Sequence, residues 1–238
     1  MKKTVLVTGA SSAIGASLIE AFAKNSYNVV IHYYKNLGKA KALHEHIKKN
    51  YEVDSLLVQA DIIKEDDVIK MMEQIKEKFS SLDVVVHNAA FEQDCSFMEK
   101  TFDEFMYTLK VNVGGPFLVS KYAYKLMRQG TMVFISSLDA TFTYRALAAD
   151  YCASKAGVNS LCQTLSQAMP SIKCVALMLP WIETPAVLEM DCQYLKEEML
   201  KNGQKKLVST DSVAKKVIDI INDESINTGM IMEMNYDE

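Results

Sequence analysis

The apolar residues of this chain fall into short runs that alternate with longer segments of helical periodicity. The short runs, dense in Val, Ile and Leu, predict buried strands at residues 4–7, 28–33, 55–59, 83–87, 131–135, 173–179 and 230–234. Between them, apolar residues recur every three or four positions and predict helices at 14–24, 37–49, 65–79, 99–128, 152–168 and 211–222. This alternation indicates an α/β fold, a doubly wound parallel sheet of about seven strands with helices on both faces.

One stretch, residues 180–209, lacks this alternation and separates the sixth strand from the last helix. Ligands of open α/β sheets bind outside the carboxyl ends of the strands. We therefore predict that residues 180–209 form a lid that covers and selects the substrate. No repeat or low-complexity linker divides the rest, so residues 1–238 are predicted to form a single dinucleotide-binding and catalytic domain.

Composition narrows the class of protein. A chain of 238 residues that is 49% hydrophobic can bury a large core. Its net charge of −4 gives no electrostatic reason to expect nucleic acid or an anionic membrane as a partner. The sequence contains no 18-residue apolar run and no signal-peptide pattern, which predicts a cytoplasmic protein without a membrane span. Five scattered cysteines indicate reduced thiols that are mostly packed.

A turn of small residues follows the first predicted strand and opens a helix. Glycine permits a sharp turn and a close approach of a ligand, and a helix N-terminus offers backbone N–H groups to a phosphate. The sequence therefore predicts a Rossmann-type pyrophosphate site, although a plain strand-to-helix turn has a similar composition. The candidate cofactor-binding residues of this turn are Gly9, Ser11, Ser12, Ile14 and Gly15.

Tyr151 and Lys155 are four residues apart, at the start of a predicted helix. Both side chains therefore leave the same face. A neighbouring ammonium group favours a phenolate and lowers the pKa of a tyrosine, which suits the phenol to proton transfer. The alternative is that the pair belongs to an ordinary amphipathic helix.

Together these features resemble the short-chain dehydrogenase/reductase family over nearly the whole chain, and within it the 3-oxoacyl-acyl-carrier-protein reductase-like enzymes. The family's glycine motif, Thr-Gly-x-x-x-Gly-x-Gly, is matched by residues 8–15, with Ala13 in place of the middle glycine. Its Asn-Asn-Ala-Gly motif after the fourth strand resembles residues 87–90, where Ala90 replaces the glycine.

The resemblance implies four catalytic residues: Asn112, Ser137, Tyr151 and Lys155. Tyr151 would donate a proton to the substrate oxygen while Ser137 orients that oxygen. Lys155 would lower the pKa of Tyr151 and hold the nicotinamide ribose, and Asn112 would hold a water that links Lys155 to solvent.

Two of these assignments have alternatives. Tyr151 follows Ser137 by 14 positions, one more than the family pattern, so Ser136 or Asp139 are alternatives for the serine role. Asn112 is alternatively a polar interruption of the long helix predicted at 99–128.

The end of the second predicted strand bears on the choice of dinucleotide. An acid there would bind the adenosine ribose and repel a 2′-phosphate, but this chain has Lys35 and Asn36. A cation and an amide donor favour NADP(H) over NAD(H); the alternative makes Lys35 a solvated loop residue. Asp61, after the third strand, either contacts the adenine, as in the family, or caps the following helix.

The remaining contacts are implied by the resemblance. Trp181 stands where the family has glycine after proline, and is either a substrate contact or a packed lid residue. Thr184 would bind the nicotinamide carboxamide. Further cofactor contacts are implied at Ile62, Asn88, Ala89, Tyr151, Lys155, Pro180 and Ile182, and substrate contacts at Ser137, Tyr151 and Trp181, with no metal.

We therefore predict an NADP(H)-dependent carbonyl reductase or alcohol dehydrogenase that acts on a ketone or a 3-oxoacyl-type substrate. The alternative is a cofactor-binding subunit, weakly active or inactive, that partners an active homologue. Its support is the departure from the family motifs at Ala13, Ala90, Trp181 and residues 235–238. The resemblance further implies a homotetramer or dimer that packs through 99–128 and 152–168.

Overall fold

A computed structural model describes residues 2–235, which form one parallel sheet covered by helices. The strands are Thr4–Val7 (β1), Asn28–Tyr33 (β2), Ser55–Gln59 (β3), Val84–His87 (β4), Gly130–Ser137 (β5), Ile172–Leu179 (β6) and Met230–Glu233 (β7). The sheet order is β3-β2-β1-β4-β5-β6-β7, and every neighbouring pair is parallel. The predicted seven-stranded, doubly wound fold is confirmed. Of the C-terminal departures from the family pattern, residues 236–238 lie outside the described part of the chain.

The helices lie between the strands as predicted, with one correction. They are Ala13–Lys24 (α1), Leu37–Asn50 (α2), Glu65–Phe79 (α3), Phe102–Leu109 (α4), Gly115–Ala123 (α5), Ala149–Ala168 (α6), Pro185–Leu188 (α7), Cys192–Lys201 (α8) and Thr210–Asn222 (α9). The single helix predicted at 99–128 was wrong. A capping box at Thr101 starts α4 only at Phe102, and a π-helical turn, Lys110–Gly114, separates α4 from α5.

Two apolar layers cover the sheet. On one face, α1, α2 and α9 contribute buried residues such as Phe22, Ile47 and Val217. On the other face, α3, α5 and α6 contribute residues such as Met71 and Val119. Strands buried on both sides are continuously apolar because each face requires its own packing layer.

The segment 180–209 was predicted to be irregular and is not, because it contains α7 and α8. The two ends of this segment are held next to each other. Ile182 forms a parallel bridge with Val208, and the buried Gln204 side chain hydrogen-bonds both the N–H (2.9 Å) and the carbonyl (2.8 Å) of Trp181. The segment therefore leaves the sheet after β6 and returns to the same point before α9.

Within residues 2–235, no helix is long and apolar enough to cross a membrane. The same residues hold no group of three or more His, Cys, Asp or Glu side chains arranged to bind a metal. The cysteines are free thiols, of which Cys152, Cys162 and Cys174 are buried and Cys192 is exposed.

Candidate active site

The loop between β1 and α1 depends on two glycines. Gly9 has a φ of 65°, and a Cβ there would lie 2.9 Å from the Cα of Ala89. A Cβ on Gly15 would lie 2.4 Å from the carbonyl oxygen of Gly9. Ser12 caps α1, its Oγ accepting a hydrogen bond from the N–H of Gly15 at 3.1 Å. The loop is thus tight, and it presents the first turn of α1 to the carboxyl end of the sheet.

A buried histidine holds this loop to the neighbouring strands. The N–H of Gly9 donates to Nδ1 of His32 at 3.0 Å, so Nε2 carries the ring proton and donates to the carbonyl of Ala60 at 3.1 Å. Burial lowers the pKa of His32 to about 4, which keeps the ring neutral. Sequence analysis missed this contact; its signal is a lone polar residue inside the apolar run of β2.

Asn88, after β4, fixes the loop from the other side. Its side-chain amide donates to the carbonyls of Thr8 (2.9 Å) and Gly9 (3.1 Å). Its backbone N–H and that of Ala89 both donate to Oγ1 of Thr8, at 3.0 and 3.1 Å. The two stretches that carry the family motifs are therefore joined by neutral hydrogen bonds.

Most predicted cofactor-binding residues line one cleft beside this loop. Lys35 is exposed there, and its ammonium lies 5.1 Å from the ring centroid of Tyr34. Gly15 packs against the backbone of Gly9 and so determines the shape of the loop. The predicted residues that line the cleft are Gly9, Ser11, Ser12, Ile14, Lys35, Asn36, Asp61, Ile62, Asn88 and Ala89.

Asp61 does not cap the following helix, so that alternative was wrong. Helix α3 begins three residues later than a cap at Asp61 requires, after Lys64. Instead, Oδ1 of Asp61 accepts a hydrogen bond from the N–H of Ile63 at 3.4 Å, and Oδ2 lies 3.8 Å from the ammonium of Lys64. The carboxylate closes a turn at the wall of the cleft.

A second cavity joins the first through Ile14, Asn88 and Ala90, which line both. It lies between the end of β5, the start of α6 and the segment 180–209. It contains the predicted residues Ser137, Tyr151, Lys155, Pro180, Trp181, Ile182 and Thr184. The residues predicted for the nicotinamide and the substrate therefore meet in one place, continuous with the dinucleotide cleft.

Lys155 is buried beneath Tyr151. Its ammonium donates to the carbonyl of Ile135 at 2.8 Å and lies 5.4 Å from the ring centroid of Tyr151. Burial lowers the pKa of Lys155 to about 8, against the opposing effect of Glu92 and Asp139. The lysine is close enough to act with the tyrosine, as the four-residue spacing predicted.

Several groups act on the pKa of Tyr151 in opposite directions. Burial raises this pKa well above its usual range, and the carboxylates of Glu92 and Asp139 raise it further. The groups that lower it are the guanidinium of Arg145 and a hydrogen bond with Ser137. Arg145 is therefore a second cation beside the phenol, and the lowering of the Tyr151 pKa by Lys155 stays a prediction.

Ser137 is the serine that contacts Tyr151. Its Oγ also accepts a hydrogen bond from the N–H of Asp139 at 3.2 Å. The two alternatives are engaged elsewhere. Ser136 is buried and its hydroxyl lies 3.4 Å from the carbonyl of Lys155, while the Asp139 carboxylate binds Arg145. The additional residue before Tyr151 is accommodated in a loop that begins with the 3-10 turn Leu138–Ala140.

Asn112 lies in the π-helical turn between α4 and α5 and does interrupt the α-helix. Its carbonyl oxygen accepts from the N–H of Phe91 at 2.7 Å, and its amide donates to the carbonyl of Phe91 and to Oγ of Ser154, both at 2.9 Å. Asn112 thus fixes the segment after β4 against α6.

Thr184 caps α7, since its Oγ1 accepts a hydrogen bond from the N–H of Val187 at 3.4 Å.

A second charged group beside the tyrosine, Arg145, was missed by sequence analysis. Arg145 lies in the loop before α6 with 2% of its side chain exposed. It forms ion pairs with Glu92, Asp94 and Asp139. A single arginine in a largely apolar loop, 137–149, is the only sequence signal that could have singled it out.

Comparisons with known proteins agree with this geometry. The sequence profile of the family described as short chain dehydrogenase matches residues 3–195. The chain is 33% identical over 174 residues to the 3-oxoacyl-acyl-carrier-protein reductase FabG of Staphylococcus epidermidis, covering 72% of this chain and 70% of that protein. It is 32% identical over 169 residues to glucose 1-dehydrogenase 2 of Bacillus subtilis, covering 69% and 65% of the two chains.

Solved structures share the fold over nearly the full length. A short chain dehydrogenase from Burkholderia cenocepacia, in complex with NADP, superposes with a TM-score of 0.90 at 27% identity and covers 98% of this chain and 96% of its own. A short-chain dehydrogenase/reductase from Serratia marcescens superposes with a TM-score of 0.91 at 21% identity, with the same coverage of the two chains. At this identity the similarity supports only the fold.

Proposed function

This chain belongs to the short-chain dehydrogenase/reductase family and is an oxidoreductase of CH–OH and C=O groups, and we propose that it catalyses the NADP(H)-dependent reduction of a ketone or 3-oxoacyl substrate. One observation carries the proposal. Ser137, Tyr151 and Lys155 meet in a cavity that is continuous with the cleft beside the glycine loop. A carbonyl carbon placed there can receive a hydride from one side while its oxygen faces the Tyr151 hydroxyl.

The residues of the cavity divide the proton chemistry. Tyr151 donates the proton that the substrate oxygen needs as the C=O becomes CH–OH. The Oγ of Ser137 accepts from the N–H of Asp139, so its own proton is available to the substrate oxygen or to Tyr151. NADPH, when bound, supplies the hydride. Hydride and proton together convert the carbonyl to the alcohol.

Lys155 and Asn112 act behind the tyrosine. We assign the buried ammonium of Lys155, anchored on the carbonyl of Ile135, to the nicotinamide ribose. Asn112 holds the Phe91 segment against α6, because both of its side-chain polar atoms bind Phe91. The water relay through Asn112 that the family resemblance implies stays a prediction.

The geometry of two glycines supports a dinucleotide in this cleft. The φ of Gly9 and the lack of room for a Cβ on Gly15 keep the loop close to the N-terminus of α1, where a pyrophosphate is favoured. Ser11, Ser12 and Ile14 lie at this N-terminus. We further assign Asp61 and Ile62 to the adenine, Asn88 and Ala89 to the sugar, and Pro180, Ile182 and Thr184 to the nicotinamide.

The preference for NADP(H) rests on Lys35 and Asn36, which lie in the cleft where a carboxylate would exclude a 2′-phosphate. The test is Lys35→Glu, matched by Lys39→Glu on the exposed face of α2. Binding is followed by quenching of the single tryptophan, Trp181. Lys35→Glu should weaken NADPH binding by roughly 10- to 100-fold through loss of a charge-assisted contact, and Lys39→Glu should not. Equal NADPH and NADH affinities in the unaltered protein would overturn the preference.

The substrate class rests on the relatives and on the segment 180–209. We propose that this segment covers the substrate, with Trp181 as its contact, since Gln204 fixes the Trp181 backbone at the cavity wall. The test is NADPH oxidation with 3-oxoacyl thioesters, simple ketones and sugars. Turnover of the thioesters supports the proposal, and turnover of sugars alone contradicts the 3-oxoacyl assignment.

The alternative, an inactive subunit that binds cofactor, rests on the motif departures alone. The structure brings Ser137, Tyr151 and Lys155 together despite those departures.

We also propose a dimer or tetramer that packs through α4, α5 and α6, because Phe102 and Phe117 are exposed there. Light scattering that finds only monomers would contradict that assembly.

A further inference from the structure

The buried Arg145 side chain is the centre of an ion-pair cluster at the substrate side of the cavity, in which Asp139 is buried and Glu92 and Asp94 reach the surface. Its Nε donates to Oδ2 of Asp139 at 2.9 Å, and one terminal nitrogen donates to Oδ1 of Asp94 at 3.2 Å. The other terminal nitrogen binds Glu92. These partners come from two separate segments, the stretch after β4 and the 3-10 turn after β5.

The same guanidinium lies on two aromatic rings of the cavity. Its Cζ is 5.5 Å from the ring centroid of Tyr151 and 5.2 Å from that of Trp181. Both distances are within the range of a favourable cation–π contact. Arg145 therefore contacts Tyr151, Trp181 in the segment 180–209 and both acidic segments.

The charges of the cluster also act on the Tyr151 phenol. Three carboxylates surround one guanidinium, and the cluster adjoins the phenol that is proposed to transfer the proton. Carboxylates near a phenol disfavour its ionised form, and a cation favours it. Without Arg145, the field at the phenol would come from the acids, opposed only by Lys155 from below.

We propose that Arg145 is a positioning residue for the reaction: it fixes Tyr151 and Trp181 in the cavity and supplies the positive charge that offsets Glu92, Asp94 and Asp139. The proposal rests on the proposed role of Tyr151 in proton transfer. It adds that the substrate wall is assembled by one arginine rather than by the catalytic residues themselves.

Burial is the main cause of the raised pKa of Tyr151, and the groups that face the phenol then act on that pKa in opposite directions. Glu92 and Asp139 raise the pKa of Tyr151, and Arg145 and Ser137 lower it. The carboxylates in turn raise the pKa of Arg145, so the guanidinium stays charged despite its burial. The other titratable groups around the cluster are Cys152 and Lys155 on α6 and Tyr194 on α8.

The test compares Arg145→Met and Arg145→Lys with Arg128→Met. Arg128 is the chain's other arginine. It is exposed and lies just before β5, at the end of the sheet opposite the cavity, which makes it a matched control. The first readout is acrylamide quenching of Trp181, which needs no substrate. Arg145→Met should raise the quenching constant about twofold as the ring loses its cation cover, and Arg128→Met should leave it unchanged.

The second readout is the pH profile in both directions, with a 3-oxobutanoyl thioester and its 3-hydroxy product. Oxidation needs the phenolate, so Arg145→Met should move its acid limb upward by about one pH unit, a tenfold loss at fixed pH. Reduction, which needs the phenol, should lose less. Arg145→Lys keeps the charge and should keep the limb near its original pH. Equal losses in both variants, without a shift of the limb, would mean a packing role and overturn the proposal.

Arg145→Met leaves the buried Asp139 carboxylate without its cation and is at risk of not folding. The variant that combines it with Glu92→Gln and Asp139→Asn removes two of the carboxylate charges. It should fold, return the acid limb toward its original pH, and keep the raised quenching of Trp181. An unaltered protein that turns over neither thioester contradicts the proposed function, and the quenching result then decides the Arg145 proposal alone. Quenching equal to that of the unaltered protein overturns it.

Discussion

The two sides of the active-site cleft are built from different kinds of contact. On the cofactor side, the glycine loop is held by neutral hydrogen bonds from His32, Asn88 and Ser12. On the substrate side, buried cations are paired with acids: Arg145 in the cavity wall binds three carboxylates, and Lys100 binds Asp150, the residue before Tyr151. The cofactor side depends on backbone shape, and the substrate side depends on charge balance.

This difference matches two tasks, binding the cofactor and forming the substrate wall. A dinucleotide presents the same groups to every relative, and a tight neutral loop serves it with few side chains. The substrate wall joins residues that are far apart in the chain, since Arg145 pairs with acids 51 and 53 positions away. Such a wall can change its charges without altering the loop that binds the cofactor.

The largest expected effect is steric and falls on the cofactor side. Gly15→Ala places a Cβ 2.4 Å from the carbonyl oxygen of Gly9, where the backbone cannot yield cheaply. We expect a loss of at least about 3 kcal/mol in the free energy of unfolding, together with loss of NADPH binding. Urea titration and cofactor quenching measure the two.

The control for this variant is Gly38→Ala in the first turn of α2, where a Cβ meets nothing within 4 Å. It should leave NADPH binding intact and stabilise the helix by up to about 1 kcal/mol. A Gly15→Ala protein that is as stable as Gly38→Ala would show that the loop tolerates more than its geometry indicates.

The next effect is electrostatic and falls on the substrate side. Lys100 binds Asp150 at 3.0 Å, and the two side chains are 5% and 1% exposed. Lys100→Met leaves the Asp150 carboxylate buried without its cation, which should cost about 3 kcal/mol of stability. Thermal and urea unfolding measure the loss.

A surface ion pair calibrates that result. Lys121 binds Glu65 at 2.8 Å, but 47% and 48% of the two side chains are exposed. Lys121→Met should therefore cost less than about 1 kcal/mol. If both variants lose the same small amount, the substrate side does not depend on its buried charges and the comparison fails.

The smallest effect concerns pH on the cofactor side. The pKa of His32 is lowered from 6.5 to about 4 by burial, so the unfolded chain takes up the proton first as pH falls. Stability from this residue is full above pH 6.5 and decreases toward pH 4. At pH 5 the loss should be about 2 kcal/mol relative to pH 8.

His32→Asn removes this titration while leaving an acceptor for the N–H of Gly9. The variant should be somewhat less stable than the unaltered protein at pH 8, and the difference should narrow as pH falls to 5. A constant difference across this range would mean that His32 titrates normally, contrary to its burial.

Much of the fold could be predicted because buried parallel strands are continuously apolar. Strands β1, β2 and β3 have the predicted bounds, and the other strands differ by one or two residues. The glycine loop and the pair Tyr151 and Lys155 are local in sequence, and their spacing alone places them. Most residues predicted on the cofactor side therefore line one cleft, although His32 was missed and their binding of a cofactor stays a prediction.

The substrate side was less predictable from the sequence, for physical reasons. The π-helical turn at Asn112 keeps a helical apolar pattern on either side, so periodicity did not reveal the break. Helix α8 is short and largely polar, and the segment 180–209 gave no clear period. Arg145 binds Asp139 six positions away in its own loop, but nothing in that loop predicted the acids Glu92 and Asp94 from another segment at its side.

Tyr151 is proposed to transfer the proton in a carbonyl reduction, while the cofactor side binds NADPH. The variant Tyr151→Phe separates these two roles when NADPH affinity and turnover of a 3-oxoacyl thioester are measured on the same protein. We expect kcat to fall by roughly 10²- to 10⁴-fold. We expect NADPH affinity to stay within about twofold of that of the unaltered protein, since the phenol hydroxyl acts on the substrate. A variant that retains full turnover would contradict proton transfer by Tyr151.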